Sequence, residues 1–281
     1  MGSSNNPYVI SDTPPKLRKS VVAFVDILGY KKLVEKGYKN RNAETILRKL
    51  HLALKESHEH VDPKYANVYY KVGEPDFSAF SAFTDNIVIG YPISFFGQEE
   101  LDRVFRELSR FQMRLAIDGF FVRGGISMGP LFMDDILVYG RALLEAIEAE
   151  RSFAIDPRII LAKSAKEAVD RALKFYPLKD EETPHVQYIC KDAEGRYYVD
   201  YLRAVVSTEG YFSKKRDLSK HKAKIESELK KNQEDAQIWS KYMWVAGYHN
   251  EFCDSCGDCQ HLKIDICNFR VPIRRSIMGE T

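Results

Sequence analysis

The apolar and polar positions divide the chain into recognisable elements. Val21 to Tyr30, VVAFVDILGY, opens with an unbroken apolar run that reads as a strand over 20–26, buried on both faces. It ends in one carboxylate, Asp26, followed by the turn Ile27-Leu28-Gly29. Helical sequence starts near Tyr30 and breaks over 37–42. It resumes after Asn42 with Ile46, Leu47, Leu50 and Leu54 at helical spacing, and stops before Pro63. Residues 77–83 and 87–91 read as two strands of a hairpin that turns at Thr84-Asp85-Asn86, with Asp85 at its tip. A helix over 97–117 carries Leu101, Val104, Phe105, Leu108, Phe111 and Leu115 on one face. A strand over 120–128 ends at Gly129-Pro130. A second hairpin then joins 131–133 to 136–139 around Asp134-Asp135. A helix from Gly140 to about Phe153, a short strand over 158–162 and a helix capped by Ser164 complete this part.

Reduced to its core, the order is βαββαβ, which predicts an α+β fold of the ferredoxin-like, split βαβ kind. Such a fold has an antiparallel sheet with helices on one face. Beyond residue 180 the character changes. A hairpin pairs 186–190 with 197–202 around Asp192–Gly195. A Lys- and Glu-rich helix over 213–232 reads as solvated. A last amphipathic helix through Trp239, Tyr242, Met243, Ala246 and Tyr248 is expected to dock on the core or on a partner chain. The chain divides into a flexible lead over 1–18, a core domain over 19–180, and a C-terminal hairpin, helices and Cys-rich tail over 181–281 packed on that core.

Composition narrows the class. Hydrophobic residues make up 44% and aromatic residues 12%, enough for a substantial core. The 42 basic and 40 acidic residues nearly cancel, without the basic excess of a dedicated nucleic-acid binder. No apolar run approaches the ~20 residues of a membrane span, and the polar N-terminus carries no secretory signal. The expectation is a cytoplasmic protein with no nucleic-acid or membrane partner. Five cysteines do not make a disulfide framework. Cys253, Cys256 and Cys259 form C-x2-C-x2-C, with Cys267 and His261 close by. That spacing suits a structural Zn²⁺ or an Fe–S cluster, against the alternative of exposed cysteines on a tail.

The chemistry gathers around Asp26. An acid at the end of a buried strand is costly without a partner, and a cation is the usual one. The alternative is a core strand whose Asp caps the next helix. In a βαββαβ sheet the first strand lies beside the following hairpin, so Asp26 and Asp85 become neighbours. Two adjacent carboxylates call for a cation. Two Mg²⁺ or Mn²⁺ ions, held by Asp26, Asp85, the Ile27 carbonyl and substrate phosphates, suit phosphoryl transfer. The backbone N–H groups of Leu28, Gly29 and Tyr30 are candidates for the β- and γ-phosphates. Arg123, in an apolar strand, is expected to reach the triphosphate or an acid such as Glu148. Arg141 and Lys163 are further phosphate candidates, against plain solvent exposure.

The strings VVAFVDILGYKKL, FTDNIVIGYP, FVRGGISMGPLF and YGRALLEAIEAE, in this order, resemble the class III nucleotidyl cyclase catalytic domain over roughly 19–165. The resemblance implies metal-binding roles for Asp26 and Asp85, and aligns Arg123–Gly129 with the family's R-x-G-I-x-x-G strand. It implies attack of a ribose 3′-hydroxyl on the α-phosphorus, giving a 3′,5′-cyclic nucleotide and pyrophosphate, at sites shared between the two chains of a homodimer. The departures are specific. The purine-reading positions fall on Ser81 and Leu137, and the family's Asn and Arg of the next helix fall on Leu144 and Glu148. D-I-L-G-Y, F-T-D-N-I, R-G-G-I-x-x-G and Y-G-x-A-L-x-x-A-x-x-x-E together look like the bacterial pyrimidine cyclases of the Pycsar antiphage systems. The hairpin YICKDAEGRYYVDYL and the helix KYMWVAGYHN look like that group's tail. This implies UTP, ahead of CTP, as substrate, and cUMP or cCMP as a messenger for a separate effector protein. It also implies a base pocket of Ser81 and Leu137 with Phe83 or an aromatic of Tyr69-Tyr70. The alternative is a catalytically degenerate cyclase fold that binds nucleotide or regulates a partner.

Overall fold

The computed structural model describes residues 6–10, 13–61, 77–93, 98–175, 187–206 and 210–269. Tyr69-Tyr70, Pro63, Gly97, Val186 and parts of the lead and tail lie outside them. The first strand, β1 (Arg18–Ile27), is followed by helices α1 (Tyr30–Lys39) and α2 (Ala43–Val61). The hairpin strands are β2 (Ala79–Phe83) and β3 (Asn86–Pro92), followed by α3 (Gln98–Asp118) and β4 (Val122–Met133). Then come β5 (Val138–Tyr139), α4 (Arg141–Phe153), β6 (Ile159–Leu161), α5 (Lys163–Phe175), β7 (Ile189–Lys191) and β8 (Tyr197–Val199). A 3-10 helix over Tyr201–Val206 leads to α6 (Lys214–Lys231) and α7 (Ala236–Ser255), and two short 3-10 helices end the described chain.

The sheet order is β2-β3-β1-β4-β6-β8-β7, with β5 paired to β4. Its first four strands, β2-β3-β1-β4, are antiparallel throughout and form the expected split βαβ core of an α+β fold. Two features differ from the sequence expectation. The strand β6 runs parallel to β4, so the sheet is mixed. Helices also cover both faces. Val21, Ala23, Val25 and Ile27 of β1 pack with Leu101, Val104, Phe105 and Leu108 of α3. The opposite face of the strand takes α4, brought so close that a Cβ on Gly125 would lie 2.1 Å from the Ala146 carbonyl oxygen. A stripe of Ala142, Ala146 and Ala149 on α4 permits that approach.

Several boundaries move for local reasons. The strand β4 runs on through Gly129-Pro130 to Met133. Its parallel partner stops at Ile126, so the missing N–H of Pro130 stands where β6 no longer pairs. Ser164 does not cap α5. Its hydroxyl accepts from the Met128 N–H and its own N–H donates to Glu145, tying α5 to β4 and α4. The last sheet strand ends at Val199, because the chain turns at Asp200, whose carboxylate accepts from the Tyr248 hydroxyl.

The polar helix α6 is not fully solvated. Leu218, His221, Ile225 and Leu229 form a narrow buried stripe hidden among Lys and Glu. That stripe joins Met113 and Ile117 of α3, Tyr201, and Tyr242 and Val245 of α7 in a second apolar cluster. Helix α3 is therefore buried on two sides, by the sheet and by the C-terminal helices.

Candidate functional site

The pairing register builds the site. Phe83 opposes Asn86, Asn86 opposes Asp26, and Asp26 opposes Arg123, so one row crosses four strands. Cross-strand partners share a face. Ser81, Val88, Phe24 and Gly125 make the next row on that face. Asp85 sits in the two-residue turn beside this row. Its carbonyl accepts from the Ile27 N–H at 3.0 Å, which fastens the hairpin tip to the end of β1. Its carboxylate takes the Thr84 hydroxyl at 2.8 Å and the Asn86 amide at 3.2 Å. Thr84 has φ 58, a left-handed conformation unfavourable for a β-branched residue, and it directly precedes this acid.

The structure therefore brings Asp26 and Asp85 together. Burial pushes the Asp26 carboxyl above its ordinary range, Arg123 opposes that shift, and Asp85 adds to it. Arg123 Nε lies 2.9 Å from Asp26 Oδ2 and 2.9 Å from Glu150 Oε1. Its single hydrogen goes to Asp26. Glu150 Oε1 is buried and reached by no hydrogen bond among the described residues. Burial raises the Glu150 carboxyl, Arg123 lowers it and Asp26 raises it.

Glu150 was not among the residues singled out from the sequence, which pointed to Glu148 as the acid for Arg123. Glu148 is exposed and accepts from Ser152 instead. The signal was present: Glu150 lies four residues after Ala146, on the buried small-residue stripe of α4. Lys241 was also missed. Burial, with Arg123 nearby, lowers its ammonium pKa, while Asp156, Asp26 and Glu150 oppose that shift. Its signal is a lone Lys in an aromatic run, on the same stripe as Ile238, Tyr242 and Val245.

The turn after β1 departs in part from expectation. The Leu28 N–H donates to the Phe121 carbonyl at 2.9 Å, so it is not free for a phosphate. Gly29, at φ 75, is the N-cap of α1 and no side chain caps that helix end. Tyr30 packs on the main core. A cavity of about 260 Å³ lies over Leu28 and Gly29, also lined by Lys32, Lys36, Lys231 and Tyr242.

Ser81 and Phe83 share the Asp26 face, with Phe83 78% exposed. Leu137 and Arg141 do not join them within one chain. β4 runs unbroken from Val122 to Met133, and Leu137 sits in the exposed hairpin at its far end, roughly 30 Å from Arg123 at ~3.3 Å per residue. Arg141, Lys163, Leu144 and Glu148 line a separate cavity of about 790 Å³ beside Gly129 and Pro130.

Hard oxygen donors at Asp26 and Asp85, with one guanidinium between several acids, suit a divalent cation. Ile27, at the end of β1, adjoins both acids through its N–H bond to Asp85. Among the described residues no group of three or more His, Cys, Asp or Glu is gathered to hold a metal, so substrate oxygens would have to complete the shell. Cys253, Cys256, Cys259 and Cys267, the candidates for a structural Zn²⁺, do not form such a group here either. Helix α7 runs on to Ser255 and turns Cys253 inward, 3.6 Å from His249, while Cys267 is exposed. Burial pushes the Cys253 thiol up to about 11 and that of Cys259 up to about 12. No helix is long and apolar enough to cross a membrane among the described residues.

No family model and no curated protein matches the chain. Among solved structures, it is similar to a class III adenylyl cyclase-like ATP-binding protein from Pseudomonas aeruginosa. That likeness has 14% identity and a TM-score of 0.41, covering 60% of this chain and 39% of the other. It is also similar to the guanylyl cyclase Cya2, with 10% identity and a TM-score of 0.41, covering 65% of this chain and 91% of the other. Likenesses at this level decide neither fold nor activity; the topology and site described above stand on their own.

Proposed function

We propose that this protein is a metal-dependent nucleotidyl cyclase acting on a pyrimidine nucleoside triphosphate, UTP ahead of CTP. Its products would be the 3′,5′-cyclic monophosphate and pyrophosphate, with the cyclic nucleotide serving a Pycsar-type antiphage signal read by a separate effector. The observation that carries this reading is the meeting of Asp26 and Asp85, through β1 and the β2–β3 turn of a split βαβ core.

Asp26, Asp85 and the Ile27 carbonyl are the residues to hold Mg²⁺ or Mn²⁺, two ions per site. The bound ions would acidify the 3′-hydroxyl and neutralise the triphosphate. The chain's own groups position the rest. Gly29 leaves the α1 N-terminus open to phosphate oxygens. Arg123, and Lys241 from α7, place positive charge beside the acids. Phe83 and Ser81 lie on the same face, where a one-ring base fits beside an aromatic side chain. Leu137 and Arg141 stand far from Asp26, and in a homodimer they would serve the other chain's site. Exposed Ile136, Leu137, Tyr139 and Leu144 give the β4–β5 hairpin and α4 an apolar surface for that contact.

A second reading has a specific basis: Leu144 and Glu148 stand where the resembled family uses Asn and Arg. A degenerate protein would bind the triphosphate without releasing pyrophosphate. Pyrophosphate release from UTP or CTP with Mn²⁺, lost in Asp26→Asn and Asp85→Asn, supports the cyclase. Binding without release by the wild type supports the alternative.

A further inference from the structure

Arg123 holds one Nε hydrogen between two carboxylates at equal distance. Asp26 Oδ2 receives it; Glu150 Oε1, also at 2.9 Å, does not. The Glu150 side chain is only 5% exposed, and that oxygen has no hydrogen bond among the described residues. Leaving a buried acceptor without a hydrogen bond is costly, so an arrangement that leaves one beside a shared donor has a second state close at hand. Gly125 and Gly129 of β4 and the alanine stripe of α4 fix Glu150 at this place by holding the helix against the strand.

We propose that Glu150 is a positioning residue. It takes the Arg123 Nε hydrogen when a divalent cation takes Asp26. The proposal rests on the metal reading of Asp26 and Asp85. A cation arriving at Asp26 competes with the guanidinium already bonded there. The guanidinium is 31% exposed, and releasing it with no anion to receive it would leave a half-buried charge unpaired. Glu150 supplies the receiving anion without backbone movement. One proton-bearing nitrogen changes acceptor, and no covalent bond is made or broken.

The test is Mn²⁺ binding to the full-length protein without nucleotide, read from the electron paramagnetic resonance signal of free Mn²⁺. Glu150→Gln is expected to weaken binding about tenfold, the size usual for removing a group that orients a metal ligand. In an Arg123→Gln background the same change is expected to alter binding less than twofold, because the competitor is gone. Arg123→Gln alone is expected to bind at least as tightly as the wild type, a result that holds even if Glu150→Gln folds poorly. Wild-type affinity in Glu150→Gln, equal weakening in both backgrounds, or loss of affinity in Arg123→Gln would each overturn the proposal. Asp26→Asn separates the two levels of the argument. If it leaves Mn²⁺ binding unchanged, the metal reading itself fails. If it abolishes binding while Glu150→Gln matches the wild type, only the role of Glu150 fails.

Discussion

Asp26 is costly in isolation, and its neighbours explain how it is tolerated. It closes an apolar strand, stays largely buried, and shares Arg123 with Glu150. The sequence showed Asp26, Asp85 and Arg123, because each interrupts an apolar pattern at an element end. It did not show which acid meets Arg123. Glu145, Glu148 and Glu150 lie within six residues, and only the packing of α4 chooses among them. Two glycines allow contrasting predictions. At Gly125 a Cβ would meet the Ala146 backbone at 2.1 Å, so Gly125→Ala should destabilise the fold by about 3 kcal/mol and displace Glu150. At Gly29 nothing lies within 4 Å, so Gly29→Ala should cost only the left-handed backbone penalty, roughly 1–2 kcal/mol. Urea unfolding of the two variants measures the difference; equal losses would contradict it.

Among the elements, α6 was the least legible. Leu218, His221, Ile225 and Leu229 are surrounded by Lys and Glu, so its composition argued for solvent while its spacing put a stripe on the core. The burial of His221 depends on that stripe. The His249 Nε2–H donates to the Leu262 carbonyl, so its Nδ1 accepts from His221 Nδ1–H at 3.0 Å, and His221 Nε2 accepts from the Tyr201 hydroxyl. Burial holds both rings neutral, with His249 lowered to about 4 and His221 well below its ordinary value. A base whose folded pKa is depressed gives full stability above its unfolded pKa, near 6.5. It loses that stability as pH falls toward the folded value. His249 alone should remove roughly 3 kcal/mol between pH 7.5 and 4. Urea midpoints should fall over this range, and His249→Gln should flatten the fall. A wild-type midpoint independent of pH would contradict the network.

At the scale of the molecule, the βαββαβ order was readable because hairpin turns and helix stripes punctuate it. The short strand over 158–162 was readable too, but its parallel pairing with β4 and the second face of helices were not, since they depend on how close α4 can approach β4. The proposed dimer rests on the distance between Asp26 and the exposed Leu137 and Arg141. Light scattering should give twice the chain mass of 32.4 kDa. Leu144→Asp, at an exposed position on α4, should give monomers that keep their fold but lose turnover. A fully active monomer would refute the shared site. The central claim is tested most directly by one assay: the wild-type protein with Mn²⁺ and each of UTP, CTP, ATP and GTP, scored for pyrophosphate and cyclic nucleotide. The account predicts cyclic product from a pyrimidine triphosphate, UTP first, and none from Asp26→Asn. Turnover of ATP or GTP alone, or of no triphosphate at all, would contradict it.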